Sequence, residues 1–175
     1  MFKIENVDLT ALETDQLYLR ILTLKDTTAV YTHFSNVSMM EYMDIQPCQN
    51  QKEAEDIIQF HIDDDGCRWG IFTKKQNELI GTCGFHCLRN TNNVRMAEVG
   101  FDLAPTYWGK GVMFQILQKI VHFGFLYIDL EVIDATVDQK NKRSQHLLNK
   151  VGFKREAELQ EKLLYYSLNK EDIKR

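Results

Sequence analysis

The sequence predicts a mixed α+β fold, a mostly antiparallel twisted sheet of about seven strands carrying four helices. Three observations predict it. Residues 67–103 contain CRWGIFTK, LIGTCGFHCL and VRMAEVGFDL, strand-like segments separated by short polar turns, which is the pattern of an antiparallel meander. Residues 97–137 then run strand, glycine turn, helix, strand, and a strand that follows a helix in this way returns as a crossover unit. Elsewhere the apolar residues recur at helical spacing, and two short strands close the chain.

Taken in order, Gln16 to Thr23 alternates Leu17, Leu19 and Ile21 against Tyr18, Arg20 and Leu22, a first strand. Asp26 or Thr27 caps a helix that turns Val30, Phe34 and Met39 toward the core. Asn50 opens a second helix, with Ala54, Ile57, Ile58 and Ile62 on one side and acidic residues in its first turn, where the helix dipole favours them. His33 and His61 ride on these helices as surface or boundary residues, neither with a recognisable partner. The three meander strands follow, rich in glycine at Gly70, Gly81, Gly84 and Gly100, which suggests bulges or close backbone approaches. Val99, Phe101 and Leu103 alternate with Glu98, Gly100 and Asp102, and Pro105 ends that strand. A helix starting near Gly109 or Lys110 carries Val112, Met113, Ile116, Leu117, Ile120 and Val121. Leu130 to Val137 is the next strand, Asn141 starts the last long helix, and Gly152 caps it. KREAEL and LLYYSL form the closing hairpin, with Leu159 to Lys162 between them.

Composition narrows the function. A chain of 175 residues, 44% apolar, has the core for one domain over 1–175 and too little for two ordinary ones. Its 21 basic and 25 acidic residues are mixed along the chain, so no basic block collects nucleic-acid phosphates. No window approaches the roughly 20 apolar residues of a membrane span, and MFKIENVDLT lacks the apolar centre of a signal peptide. A cytoplasmic protein is predicted, with monomer and homodimer both open. Cys48, Cys67, Cys83 and Cys87 include no Cys-x-x-Cys pair and are read as reduced thiols. Regular alternation would put Cys83 and Cys87 on one strand face and His86 on the other, so no metal site is predicted. Asp63-Asp64-Asp65-Gly66 lacks the spacing of a calcium loop and reads as a turn.

The chemistry centres on the turn between strand and helix. Gly109 and Gly111 remove side chains where the helix begins, leaving its first amide N–H groups bare at the positive end of the dipole. Such an end suits phosphate, although a glycine pair also serves as a plain tight turn. Gly-x-x-x-x-Gly-Lys-Ser/Thr is absent, and Gly-x-Gly-x-x-Gly would need glycine where Phe114 stands.

The segment Trp108, Gly109, Lys110, Gly111, Val112 and Met113 resembles motif A of the GNAT superfamily of N-acetyltransferases, whose Arg/Gln-x-x-Gly-x-Gly/Ala turn cradles the pyrophosphate of acetyl-CoA. Trp108 and Met113 depart from that pattern, and Tyr-Trp-Gly-Lys-Gly is similar to the variant in the branch containing the ribosomal-protein N-acetyltransferases. A second segment, Asn141, Ser144, Leu147, Leu148, Lys150, Gly152 and Phe153, resembles the family's Asn-x-x-Ser-x-x-Leu-Leu-x-Lys-x-Gly-Phe. The two motifs stand in the right order about thirty residues apart, and weaker likeness runs from LYLR to YYSLNKED.

The resemblance implies a central sheet whose fourth and fifth strands splay apart, and transfer of acetyl from acetyl-CoA to a primary amine, either a protein N-terminal α-amine or a small molecule. It implies that Phe101, Asp102 and Leu103 offer backbone groups to the pantetheine arm, that the 108–113 turn holds the pyrophosphate, and that Asn141 reaches the pantetheine from the facing loop. Glu98 matches a general-base position and equally fits a solvent-facing strand residue. Ser144 matches a proposed proton donor to the thiol and equally fits local polar stabilisation of a first helical turn. Leu148 stands where many members carry a tyrosine acid, and the last hairpin is shorter than in the close branch, which opens the acceptor side. The competing reading is a non-catalytic acyl-CoA-binding or regulatory module.

Overall fold

The computed structural model describes residues 12–173, so the MFKIENVDLT stretch read above lies outside the described residues. In chain order the elements are β1 (Leu12–Glu13), β2 (Leu17–Ile21), α1 (Thr27–Phe34), α2 (Val37–Met40), α3 (Gln51–Asp63), β3 (Cys67–Thr73), β4 (Leu79–Thr91), β5 (Val94–Leu103), α4 (Val112–Leu126), β6 (Val132–Val137), α5 (Lys142–Val151), β7 (Lys154–Gln160), β8 (Leu163–Asn169) and α6 (Lys170–Ile173). The strands form one eight-stranded sheet in the order β1-β2-β3-β4-β5-β6-β8-β7. Neighbours run antiparallel except β5 and β6, whose parallel pairing requires the α4 crossover. The two-residue β1 and the short α2 and α6 raise the counts above seven strands and four helices.

Local signals explain the ends. Asn50 and Asn141 cap α3 and α5, their side chains accepting from the N–H groups of Glu53 and Ser144. Gly111 precedes α4 at φ +75°, so the helix starts at Val112, slightly later than its apolar periodicity suggests. Gly152 ends α5 at φ +114°. Strand β7 runs to Gln160, which shortens the last turn to Glu161 and Lys162, both with positive φ as a two-residue hairpin turn demands. Met39, expected on the first helix, is buried from the separate α2.

Each sheet face has its own core. On one face α4 and α5 bury Ile116, Leu117, Ile120 and Leu148 against Trp69, Val99, Ile133 and Tyr166. On the other, α1 and α3 bury Val30, Phe34, Ala54 and Ile58 against Leu22 and Phe72. Fully burying one such aliphatic side chain contributes about 1.5–3 kcal/mol. Among the described residues no helix is long and apolar enough to cross a membrane.

The feature that shapes the site is a fork. Strands β5 and β6 pair only at Met96↔Val132, Ala97↔Ile133 and Glu98↔Asp134, while β5 continues beside β4 as far as Gly81↔Leu103. The splayed pair expected as the fourth and fifth strands is therefore β5 and β6, the number shifted by β1.

Candidate active site

Glu98 stands at the fork. Its Oε1 accepts the hydroxyl of Thr136 at 2.6 Å and the Thr136 backbone N–H at 3.3 Å. That amide would otherwise continue the β5–β6 ladder, so the carboxylate takes over where the two backbones part company. Its other oxygen, Oε2, lies 3.8 Å from Nε2 of His86 on the neighbouring β4.

His86 reaches this spot because β4 is bulged. Pairing steps from His86↔Glu98 to Arg89↔Met96, three residues against two, and Cys87 takes φ +49°. The extra residue breaks the alternation assumed from sequence. Leu88 turns into the core, Arg89 pairs with Asp134 beside the fork, and Cys87 is exposed. The prediction that His86 and Cys87 face apart is thus overturned: one ligand atom from each of His86, Cys87 and Glu98 lies within 4.8 Å of the others. Burial lowers the His86 pKa, against the pull of Glu98. It raises that of the Cys87 thiol, with Glu98 adding to the effect.

The same sheet face carries a buried polar cluster next to the fork. Asp102 accepts from Thr82 N–H at 2.9 Å and from Arg68 at 3.0 Å, meets Nε2 of His33 at 2.6 Å, and also bonds the Thr82 hydroxyl. Burial alone would push this carboxyl up, but its partners, His33 foremost, outweigh that and hold it at about 2. His33 is therefore a buried partner of Asp102, not a boundary residue. Gly100 leaves room for the group, since a Cβ there would lie 2.8 Å from Arg68 Nη1 and 3.0 Å from His86 Cε1. Half-buried His61 borders the same space, its pKa lowered to about 4 by burial and then by the Arg68 charge.

The glycine turn forms the opposite end. Gly109 and Gly111 have φ of +70° and +75°, and a Cβ on either would meet nothing within 4 Å, so conformation and not crowding requires glycine there. The first hydrogen bond of α4 runs from Gln115 N–H to Gly111 O at 3.2 Å, leaving the amides of Val112 and Met113 without a helical acceptor. Trp108 donates its indole N–H to Leu103 O at 2.7 Å and ties the turn to the end of β5. From α5, Arg143 stacks 3.4 Å from the Trp108 ring centre and Lys150 lies 4.4 Å from that of Phe114, adding positive charge beside the helix start.

One cleft of about 1240 Å³ joins the two ends. Of the residues predicted from sequence, Glu98, Phe101, Asp102, Leu103, Trp108, Gly109, Gly111, Val112, Met113, Asn141 and Ser144 line it. Lys110 does not, and sits 5.8 Å from the Tyr107 ring. The Asp102 side chain is spent on His33, Arg68 and Thr82, so what it can offer a ligand is backbone. Sequence reasoning missed His86, Thr136, Arg68 and Arg143. The first three join the site through cross-strand register, and the fourth was hidden inside a motif read for its neighbours.

The comparisons with known proteins agree with this architecture. Residues 16–154 match the acetyltransferase (GNAT) domain family. The chain is 36% identical over 154 residues to the uncharacterized N-acetyltransferase YoaA of Bacillus subtilis (strain 168), covering 86% of each protein. It is 30% identical over 142 residues to spermidine N(1)-acetyltransferase of Escherichia coli (strain K12), covering 81% of this chain and 74% of that one. The fold matches the crystal structure of ribosomal-protein-S5-alanine acetyltransferase from Vibrio fischeri with a TM-score of 0.80 at 18% identity, over 94% of this chain and 98% of that one. With the forked strands, the open glycine turn and the family match over most of its length, the chain belongs to the GNAT family of acetyltransferases, enzymes that take acetyl-CoA as their acetyl donor.

Proposed function

We propose that this chain, working as a single cytoplasmic domain over 1–175, transfers the acetyl group of acetyl-CoA to a cationic primary amine, with Glu98 taking the proton the incoming ammonium must lose. The observation that carries the reading is the Glu98 carboxylate, tied to Thr136 at the fork and facing the cleft. Four unpaired cysteines are consistent with a reducing compartment.

The residues fit the donor. The bare amides of Val112 and Met113, following glycines that leave open space, suit a pyrophosphate, and the positive charges of Arg143 and Lys150 favour its binding. The backbone of Phe101 to Leu103 runs along the cleft past the last β5–β6 pair, where a pantetheine arm needs hydrogen bonds. Asn141 uses its carbonyl oxygen to cap α5 at 3.1 Å from Ser144 N, which leaves its amide N–H groups for that arm. Acetyl-CoA supplies an activated acyl carbon as a thioester.

An ammonium has no lone pair to attack with, so it must first give up a proton, and Glu98 accepts it directly or through water. The amine nitrogen then forms the C–N bond while the C–S bond breaks. The amine's second proton ends on the departing sulfur, shuttled through the Ser144 hydroxyl in the first turn of α5. Leu148 is fully buried and brings no hydroxyl to this step.

A small polycationic acceptor is favoured over a protein N-terminus by the carboxylates of Asp44, Asp64 and Glu98 along the cleft and by the similarity to spermidine acetyltransferase. The decisive variant is Glu98→Gln, assayed with a panel of amines in the presence of EDTA. Turnover should fall about 100-fold at neutral pH with CoA affinity unchanged, and the deficit should shrink as pH approaches the amine's own pKa. Parent-like turnover across that range would remove Glu98 from the reaction, and absence of turnover in the parent with every amine would favour the non-catalytic module.

A further inference from the structure

We propose that His86, Cys87 and Glu98 form a site for a thiophilic divalent cation, represented by Zn2+, and that its occupancy silences acetyl transfer. The silencing rests on the reading of Glu98 as proton acceptor; the binding does not.

An imidazole nitrogen, a thiolate sulfur and a carboxylate oxygen are the donors that zinc prefers. Here one of each lies within 4.8 Å of the other two. Tetrahedral zinc, with bonds of about 2.0–2.3 Å, holds its donors roughly 3.5 Å apart, so side-chain rotations closing the set by about 1 Å complete three corners. The His86–Glu98 edge is already at 3.8 Å. Thr136 holds Oε1, which turns Oε2 toward His86, the orienting role that outer partners play at metal sites. All three residues line the cleft, so the fourth corner opens toward it.

The backbone adds an independent argument. Cys87 holds a left-handed φ of +49°, a conformation that strains any residue with a Cβ. The bulge is pinned on its far side by buried Leu88 and by the Arg89 pair with Asp134. Glycine or asparagine would relieve the strain, yet the position holds a thiol, the one exposed cysteine of four. Neighbouring cations do not oppose the ion strongly, because Arg68 is paired with Asp102 and Arg89 with Asp134. On binding, the Cys87 thiol releases its proton to solvent. Thiolate and carboxylate then balance the two positive charges while His86 coordinates as the neutral ring.

The test uses the full chain, zinc and a competing chromophoric chelator. We expect one tightly held Zn2+ per chain, weakened about tenfold or more by Cys87→Ser and by His86→Ala and unchanged by Cys48→Ser. Substituted Co2+ should give a thiolate charge-transfer band that Cys87→Ser removes. Added zinc should stop parent turnover reversibly, with EDTA restoring it, whereas Cys87→Ser should keep the basal rate and resist zinc. Absence of zinc uptake, or equal affinity in Cys87→Ser, overturns the site. Uptake at Cys87 without loss of turnover overturns the silencing and leaves the site standing. The parallel Glu98→Gln assay, run in EDTA, reports on the base alone.

Discussion

Gly111 offers the sharpest separation of fold from binding. It precedes α4 at φ +75° with nothing within 4 Å of a would-be Cβ, so any side chain there fits in space but strains the backbone. Gly111→Ala should therefore cost about 1–2 kcal/mol, which for a chain this size lowers the melting temperature by about 2 to 8 °C. Gly111→Glu carries the same strain, but its carboxylate sits at the positive end of the dipole and recovers about 0.3–1 kcal/mol. The Glu variant should thus be no less stable than the Ala variant. Toward CoA the order reverses. A carboxylate about 4 Å from a phosphate repels it by about 1 kcal/mol if fully solvated and about 4 kcal/mol at the effective dielectric of a protein surface. The dissociation constant should rise roughly 5- to 1000-fold beyond that of the Ala variant. Thermal melts and calorimetric titration with CoA, run on both variants, measure the two effects separately. Equal CoA affinity in the Ala and Glu variants would show that no phosphate sits on this helix end.

Three further predictions address the scaffold. Ile116 is fully buried between α4 and the sheet, so Ile116→Ala should cost about 2–5 kcal/mol, and a melting curve matching the parent would refute that packing. His61, held near pKa 4 against an ordinary 6.5, binds fewer protons folded than unfolded between those values, so stability should fall as pH drops from about 6.5 to 4, and His61→Gln should flatten that limb. Asp102, held at about 2, contributes stability that should persist to pH 3.8 and be lost only below it, in melts of parent and variant alike.

The parts legible in the sequence were those set by local rules. Alternation located β2 to β5, helical spacing located α4, and Asn50, Asn141 and Gly152 marked helix ends through their capping chemistry. What stayed hidden depended on register between strands far apart in the chain. Nothing near His33 announces Asp102, because the two are 69 residues apart and meet only when α1 packs onto the sheet against β4, the strand beside β5. Nor does the β4 sequence reveal its bulge, since regular alternation predicts opposite faces for His86 and Cys87 and one inserted residue reverses the conclusion.

That inserted residue also bears on how the site is divided. Along β5, Ala97, Val99 and Leu103 pack into the core beneath α4, while Glu98, Gly100 and Asp102 face the polar side. The core-facing set sets the height of α4, and with it the glycine turn; the polar set defines the fork and the cluster around Arg68. A single strand therefore fixes both ends of the cleft relative to one another. Without the bulge, Arg89 would exchange faces with Leu88, removing the cationic partner of buried Asp134 beside Glu98 and leaving it only the Tyr165 hydroxyl. A buried carboxylate left without its cation is strongly destabilising, commonly by about 3–5 kcal/mol. The strain at Cys87 is small against that cost, so the bulge is held in place by Leu88 and Arg89 whichever side chain occupies position 87. Position 87 is consequently free to vary in chemistry without loss of fold, and a serine there removes the thiol while leaving the geometry of His86 and Glu98 intact.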